Sequence, residues 1–133
     1  MSAKTFLDTN ILIYAFASNS KKGELAEGLL AAGGVISVQV LNEFASVSRR
    51  KLGMQWKDIE ARISVVTSLL DAPVATTLDT HLAACTLARK HQFSFYDALI
   101  VAAAIETGCD TLFSEDFQHG RSIGGLTVRN PFA

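Results

Sequence analysis

The sequence predicts an α/β domain with a mostly parallel sheet, and three observations carry that prediction. Short β-type runs alternate with helical stretches along the chain. The 133 residues are 49% apolar, enough to bury a core without disulfides or structural metal. Acidic residues follow the β-type runs, at the edge where parallel α/β sheets bind their ligands.

Taken in order, Thr5-Phe6-Leu7 reads as the first strand, ending at Asp8-Thr9-Asn10. The apolar run 11–16 then begins a short helix. Residues 21–32 form a second helix, with Leu25 and Leu29 on one face and Gly33-Gly34 as its stop. Val35-Ile36-Ser37 reads as a buried strand, and 38–52 as a helix with Leu41, Phe44, Ala45 and Ser48 at helical spacing. Residues 56–71 are the clearest amphipathic helix, with Trp56, Ile59, Ile63, Val66 and Leu70 at intervals of three and four. Core packing is expected to use at least half of that stripe, and the remainder could serve an interface. Pro73 closes the helix, and Val74-Ala75-Thr76 reads as a strand. Residues 79–91 carry Leu82, Cys85 and Ala88 on one helical face. A nearly all-apolar helix follows over 97–107, ended by Gly108. Thr111-Leu112-Phe113 and Leu126-Thr127-Val128 complete the strands. Neither a repeat nor a Pro/Gly-rich linker divides the chain, so residues 1–133 are expected to form one domain.

Bulk properties exclude several classes. No apolar run approaches the ~18 residues of a membrane span. The N-terminus lacks the apolar stretch of a secretory signal, so a cytoplasmic location is expected. Cys85 and Cys109 are far apart in alanine-rich surroundings and read as small buried hydrophobes. His81, His91 and His119 are scattered, which argues against zinc. A net charge of −1 gives no overall basic field for nucleic acid. The local cluster Arg49-Arg50-Lys51 has two readings: cations complementing a helix C-terminus, or phosphate contacts.

Four acids can reach the carboxyl edge of the sheet. Asp8 follows the first strand, Glu43 lies in the first turns of the helix after the second, Asp97 opens the apolar helix, and Asp116 follows the Thr111-Leu112-Phe113 run. Converging carboxylates would repel one another and raise their pKa values unless a hard divalent cation joined them. Such a cluster suits phosphoryl chemistry. Each acid also has a structural reading. Asp8 could cap the helix near Ile11, and Glu43 could be a solvated surface residue. Asp97 could close a capping box with Ser94, and Asp116 could start a turn toward Gly120. The residues alone stop at a possible acidic metal site.

Four segments in order, Phe6-Leu7-Asp8-Thr9-Asn10-Ile11-Leu12, Asn42-Glu43-Phe44, Ser94-Phe95-Tyr96-Asp97-Ala98-Leu99-Ile100 and Phe113-Ser114-Glu115-Asp116-Phe117, together resemble the PIN-domain family. Within it, the chain is similar to the short bacterial toxins called VapC-like ribonucleases. The resemblance implies a three-layer α/β/α fold with a central, mostly parallel sheet. It implies that Asp8, Glu43, Asp97 and Asp116 bind one or two Mg²⁺ or Mn²⁺ ions for hydrolysis of RNA, with Glu115 as an alternative fourth acid. Asn10 and Ser114 would orient the carboxylates. A homodimer and a cognate antitoxin protein, lying over the active site, would be partners. Two other readings stand beside it. A haloacid-dehalogenase-like Mg-dependent phosphohydrolase would need a second Asp where Asn10 stands. A non-catalytic PIN-like binding domain would typically have lost one of the acids.

Overall fold

The computed structural model describes residues 4–17 and 20–133. Its strands are short because the β-type runs are short. β1 (Thr5–Leu7) pairs in parallel with β2 (Thr111–Phe113), which pairs in parallel with β4 (Leu126–Arg129). β3 (Ser122–Ile123) joins β4 antiparallel, giving the order β1-β2-β4-β3. The β3–β4 hairpin was not foreseen. Its signal is Gly124-Gly125, whose φ values of 53° and 85° provide the two left-handed positions of a tight hairpin turn.

The two other expected strands, at 35–37 and 74–76, reduce to single parallel bridges, Phe6 to Val35 and Ser37 to Val74. Each run is too short to sustain a ladder, yet both continue the sheet beyond β1. Val35 N donates to Thr5 O at 2.9 Å and Val74 N to Ile36 O at 3.0 Å.

Among the described residues six helices flank the sheet: α1 (Thr9–Ala15), α2 (Lys21–Ala32), α3 (Val38–Arg50), α4 (Trp56–Leu69), α5 (Leu78–His91) and α6 (Phe95–Glu106). This is the expected three-layer α/β/α arrangement. Its main core joins Phe6, Leu7 and Leu112 of the sheet to Ile11, Leu12, Phe44, Val66 and Ile100 of the helices. Of the α4 stripe, Ile59, Val66 and Leu70 are buried, whereas Trp56 is 54% exposed.

Helix α5 departs from expectation. It packs through Ala84 on Ala98, Leu99 and Ala102 of α6, so the Leu82–Cys85 side faces outward. Cys85 is therefore exposed, contrary to the sequence reading, while Cys109 is buried as expected. Helix α6 begins two residues earlier than predicted because Ser94 is its N-cap. No helix among the described residues is long and apolar enough to cross a membrane.

Candidate metal centre

The parallel ladder brings the ends of β1 and β2 together. Asp8 N donates to Phe113 O and Ser114 N to Arg129 O, both at 3.0 Å, so Asp8 and Ser114 leave the sheet side by side. Asp8 is 3% exposed and Ser114 fully buried. The Ser114 hydroxyl donates to Asp8 Oδ2 at 2.7 Å, and Ser114 Oγ in turn accepts from Asp116 N at 3.0 Å. Asn10 stands between them. Its Nδ2 donates to Asp116 Oδ2 at 3.1 Å and lies 3.5 Å from Asp8 Oδ2, while its Oδ1 accepts from Glu115 N at 3.3 Å. Asp8 Oδ1 accepts from Thr9 N at 2.7 Å, so Asp8 does cap α1, which starts at Thr9 rather than near Ile11. The capping and site readings of Asp8 thus coexist.

The other two acids come from helices. Ser37 caps α3 by accepting from Val40 N, and Glu43 follows in the second turn. Thr9 Oγ1 donates to Glu43 Oε2 at 3.1 Å and so orients it from α1. Nothing in the sequence singled out Thr9 for this beyond its place beside Asp8. On α6, Ser94 Oγ accepts from Asp97 N at 3.3 Å. The reciprocal bond of a capping box is formed on α5 by Thr77 and Thr80 but not on α6. Ser94 therefore caps the helix without needing the Asp97 carboxylate, which is left to face the cleft.

Asp8, Glu43, Asp97 and Asp116 line one cleft of about 740 Å³, between α1, α3, the start of α6 and the β2 end. Glu115 also reaches it, but Tyr14 Oη donates to Glu115 Oε1 at 2.7 Å and Lys22 Nζ pairs with Oε2 at 3.1 Å. That engagement turns Glu115 toward α1 and α2 and leaves Asp116 with Asn10. Tyr14 and Lys22 went unnoticed in the sequence, because the acid they hold lies about a hundred residues away.

Burial, then the Asp116 and Glu43 charges, raise Asp8 to about 7 against the lowering effect of Ser114 and Thr9 N. Glu43 is raised by burial and by Asp97 and Asp116, with Thr9 opposing. Asp97 is raised by burial and by Asp116, with Ser94 opposing. Metal-free, the cleft is thus a set of carboxylates that disfavour one another's charge. Among the described residues no three of these acids stand close enough together to hold one ion jointly. An all-oxygen, open set fits Mg²⁺ or Mn²⁺, which keeps several waters and takes few direct protein ligands. The histidines are spent elsewhere: His81 packs edge-on to Phe95, and His119 Nδ1 accepts from Asn130 N.

The chain matches the PIN domain over residues 5–121. No curated protein matches in sequence. Among solved structures, the toxin–antitoxin complex from Klebsiella pneumoniae is 22% identical, with a TM-score of 0.71 and 98% of both chains covered. VapC20 of Mycobacterium tuberculosis, a toxin that cleaves the sarcin–ricin loop, is 20% identical, with a TM-score of 0.70 over 85% of this chain and 92% of its own. VapBC2 from Rickettsia felis, bound to a DNA fragment from its promoter, is 22% identical, with a TM-score of 0.69 over 95% and 97%.

Proposed function

The chain belongs to the PIN-domain family, and on that footing we propose that it is a Mg²⁺- or Mn²⁺-dependent endoribonuclease, the toxin of a type II toxin–antitoxin pair. The observation that carries this reading is the convergence of Asp8, Glu43, Asp97 and Asp116 on one cleft, with Asn10 and Ser114 bonded between the first and last of them. One or two of the four acids would hold the ion directly and the others would reach it through its waters. When bound, a divalent cation offsets the negative charge of acids and phosphate and lowers the pKa of water. Ser114 and Asn10 fix the rotamers of Asp8 and Asp116, and Thr9 fixes that of Glu43, so the carboxylates need little reorganisation. Hydrolysis adds the hydroxyl of water to phosphorus, breaks one phosphorus–oxygen bond to ribose and returns a proton to the departing ribose oxygen.

The partner reading follows from the same family. Several structural neighbours are complexes of a toxin with its antitoxin, and we infer a cognate antitoxin and a homodimer for this chain. The outward face of α5 supports self-association: Leu78 is 72% and Leu82 55% exposed.

Purified protein should cut RNA with Mg²⁺ or Mn²⁺, stop on chelation and sediment as a dimer at micromolar concentration. Asp8→Asn should reduce cleavage by two orders of magnitude or more, on the scale of removing a key charge-stabilising group. Cleavage by Asp8→Asn at the wild-type rate, or undiminished by chelation, would overturn the assignment.

A further inference from the structure

The three cations that close α3 part company. The Arg49 guanidinium donates to Met54 O at 2.9 Å and lies 5.8 Å from the Trp56 ring centre, away from the acids. Arg50 and Lys51 line the acid cleft. Arg50 Nε donates to Ser46 Oγ at 3.0 Å, one turn back along the same face. Among the described residues neither has a carboxylate within ion-pair distance, and no side chain of the three donates to a terminal carbonyl of α3. A role confined to capping the helix leaves this orientation unexplained.

The cleft follows α3 lengthwise, from Gln39 through Glu43 and Ser46 to Arg50. At 1.5 Å per residue, Arg50 lies about 10 Å beyond Glu43 along the helix axis. Charge therefore changes sign along one groove, with acids at one end and two free cations at the other. Tyr96, beside Asp97, lines the same groove and is 60% exposed. A basic groove with an accessible aromatic face is the chemistry that binds single-stranded nucleic acid.

Resting on the ribonuclease reading, we propose that this groove seats a single-stranded RNA segment. Arg50 and Lys51 each hold a phosphate other than the one being cut, and Tyr96 stacks on a base. The acids repel the RNA backbone wherever no cation bridges them, so the distant cations hold the strand while its scissile phosphate enters the acidic end.

The test uses the full chain carrying Asp8→Asn, so that bound RNA survives, and a fluorescent single-stranded oligoribonucleotide beside its perfect duplex. Adding Arg50→Gln and Lys51→Gln should weaken binding of the single strand. It should also flatten the dependence of log Kd on log salt by about 1.4, the release of two counterions at ~0.7 each. Tyr96→Leu should weaken binding roughly tenfold with the salt slope unchanged, and Tyr96→Phe should restore it. Melting curves establish that the variants fold. An unchanged slope in the folded double variant, or duplex bound as tightly as single strand, would overturn the proposal. If otherwise wild-type protein still cuts RNA with Mg²⁺ in that case, the ribonuclease reading survives alone. Absence of both cleavage and RNA binding by the wild-type chain would sink both.

Discussion

The two halves of the acid cleft are built differently. At the sheet edge, Asp8, Asn10, Ser114 and Asp116 form a continuous network joining residues 104 to 106 apart in sequence. On the helical side, Glu43 is steadied by Thr9, and Asp97 sits above its own N-cap. The sheet edge is rigid because the β1–β2 ladder has already fixed the backbones from which those side chains project. The helical side depends on how α3 and α6 pack. The sheet-edge half is thus held by a network of hydrogen bonds, and the helical half by the single Thr9–Glu43 bond.

The largest expected effect lies at the buried edge. Folded and metal-free, Asp8 keeps its proton up to about 7, whereas the unfolded chain releases it near 3.8. The unfolded state therefore binds fewer protons between those values, and stability falls as pH rises from about 4 to about 7, then levels off. The loss should be on the order of a few kcal/mol, with Glu43 and Asp97 adding in the same direction. Urea unfolding in chelator at several pH values would show it. A curve that stays flat, or one that Asp8→Asn does not flatten, would remove the contrast between the two halves.

Next in size is the network itself. Ser114→Ala deletes the bond to Asp8 Oδ2 and the acceptor for Asp116 N. Metal affinity and cleavage should drop by about 10–100-fold, as for other residues that orient metal ligands. Calorimetric Mn²⁺ titration and initial rates would measure it. A Ser114→Ala protein with wild-type affinity would mean that the network is packing rather than preorganisation.

The smallest effect belongs to the helical side. Asp97→Ala retains Ser94 as N-cap and relieves repulsion, so metal-free stability should move by no more than about 0.5 kcal/mol, against the ~1 kcal/mol of a lost cap. Stabilisation by Mg²⁺, which follows RT ln(1 + [L]/Kd), should shrink sharply. Four melting curves, for both proteins with and without Mg²⁺, separate these effects. An equal gain in both would return Asp97 to a role in the helix end.

The sequence revealed what depends on local pattern. Alternating β-type and helical segments placed β1, β2, β4 and helices α1 to α6, and Asp8, Asp97 and Asp116 could be singled out because each sits at or beside an element boundary, whereas Glu43 lies a turn inside α3. What it hid depends on packing across the molecule. Cys85 was read as buried because α5 is apolar on more than one side, and only contact with Ala98 and Ala102 decides which side is covered. The holding of Glu115 by Tyr14 and Lys22 needs α1, α2 and the β2 end folded against one another. The runs at 35–37 and 74–76 form single bridges rather than strands, since three β-favouring residues specify direction without ensuring a ladder.

The brevity of those outer segments bears on aggregation. An exposed strand edge is a template on which copies of a chain can stack, and this sheet exposes little of one. On one side β3 is two residues long and turns away at Gly124-Gly125. On the other, the outermost segment engages through Val74 alone, directly after Pro73, which has no N–H to offer. A second molecule would find only a few unpaired backbone groups at either rim, too few to nucleate a cross-β ribbon. Both rims of the sheet are thereby poor templates for edge-to-edge pairing.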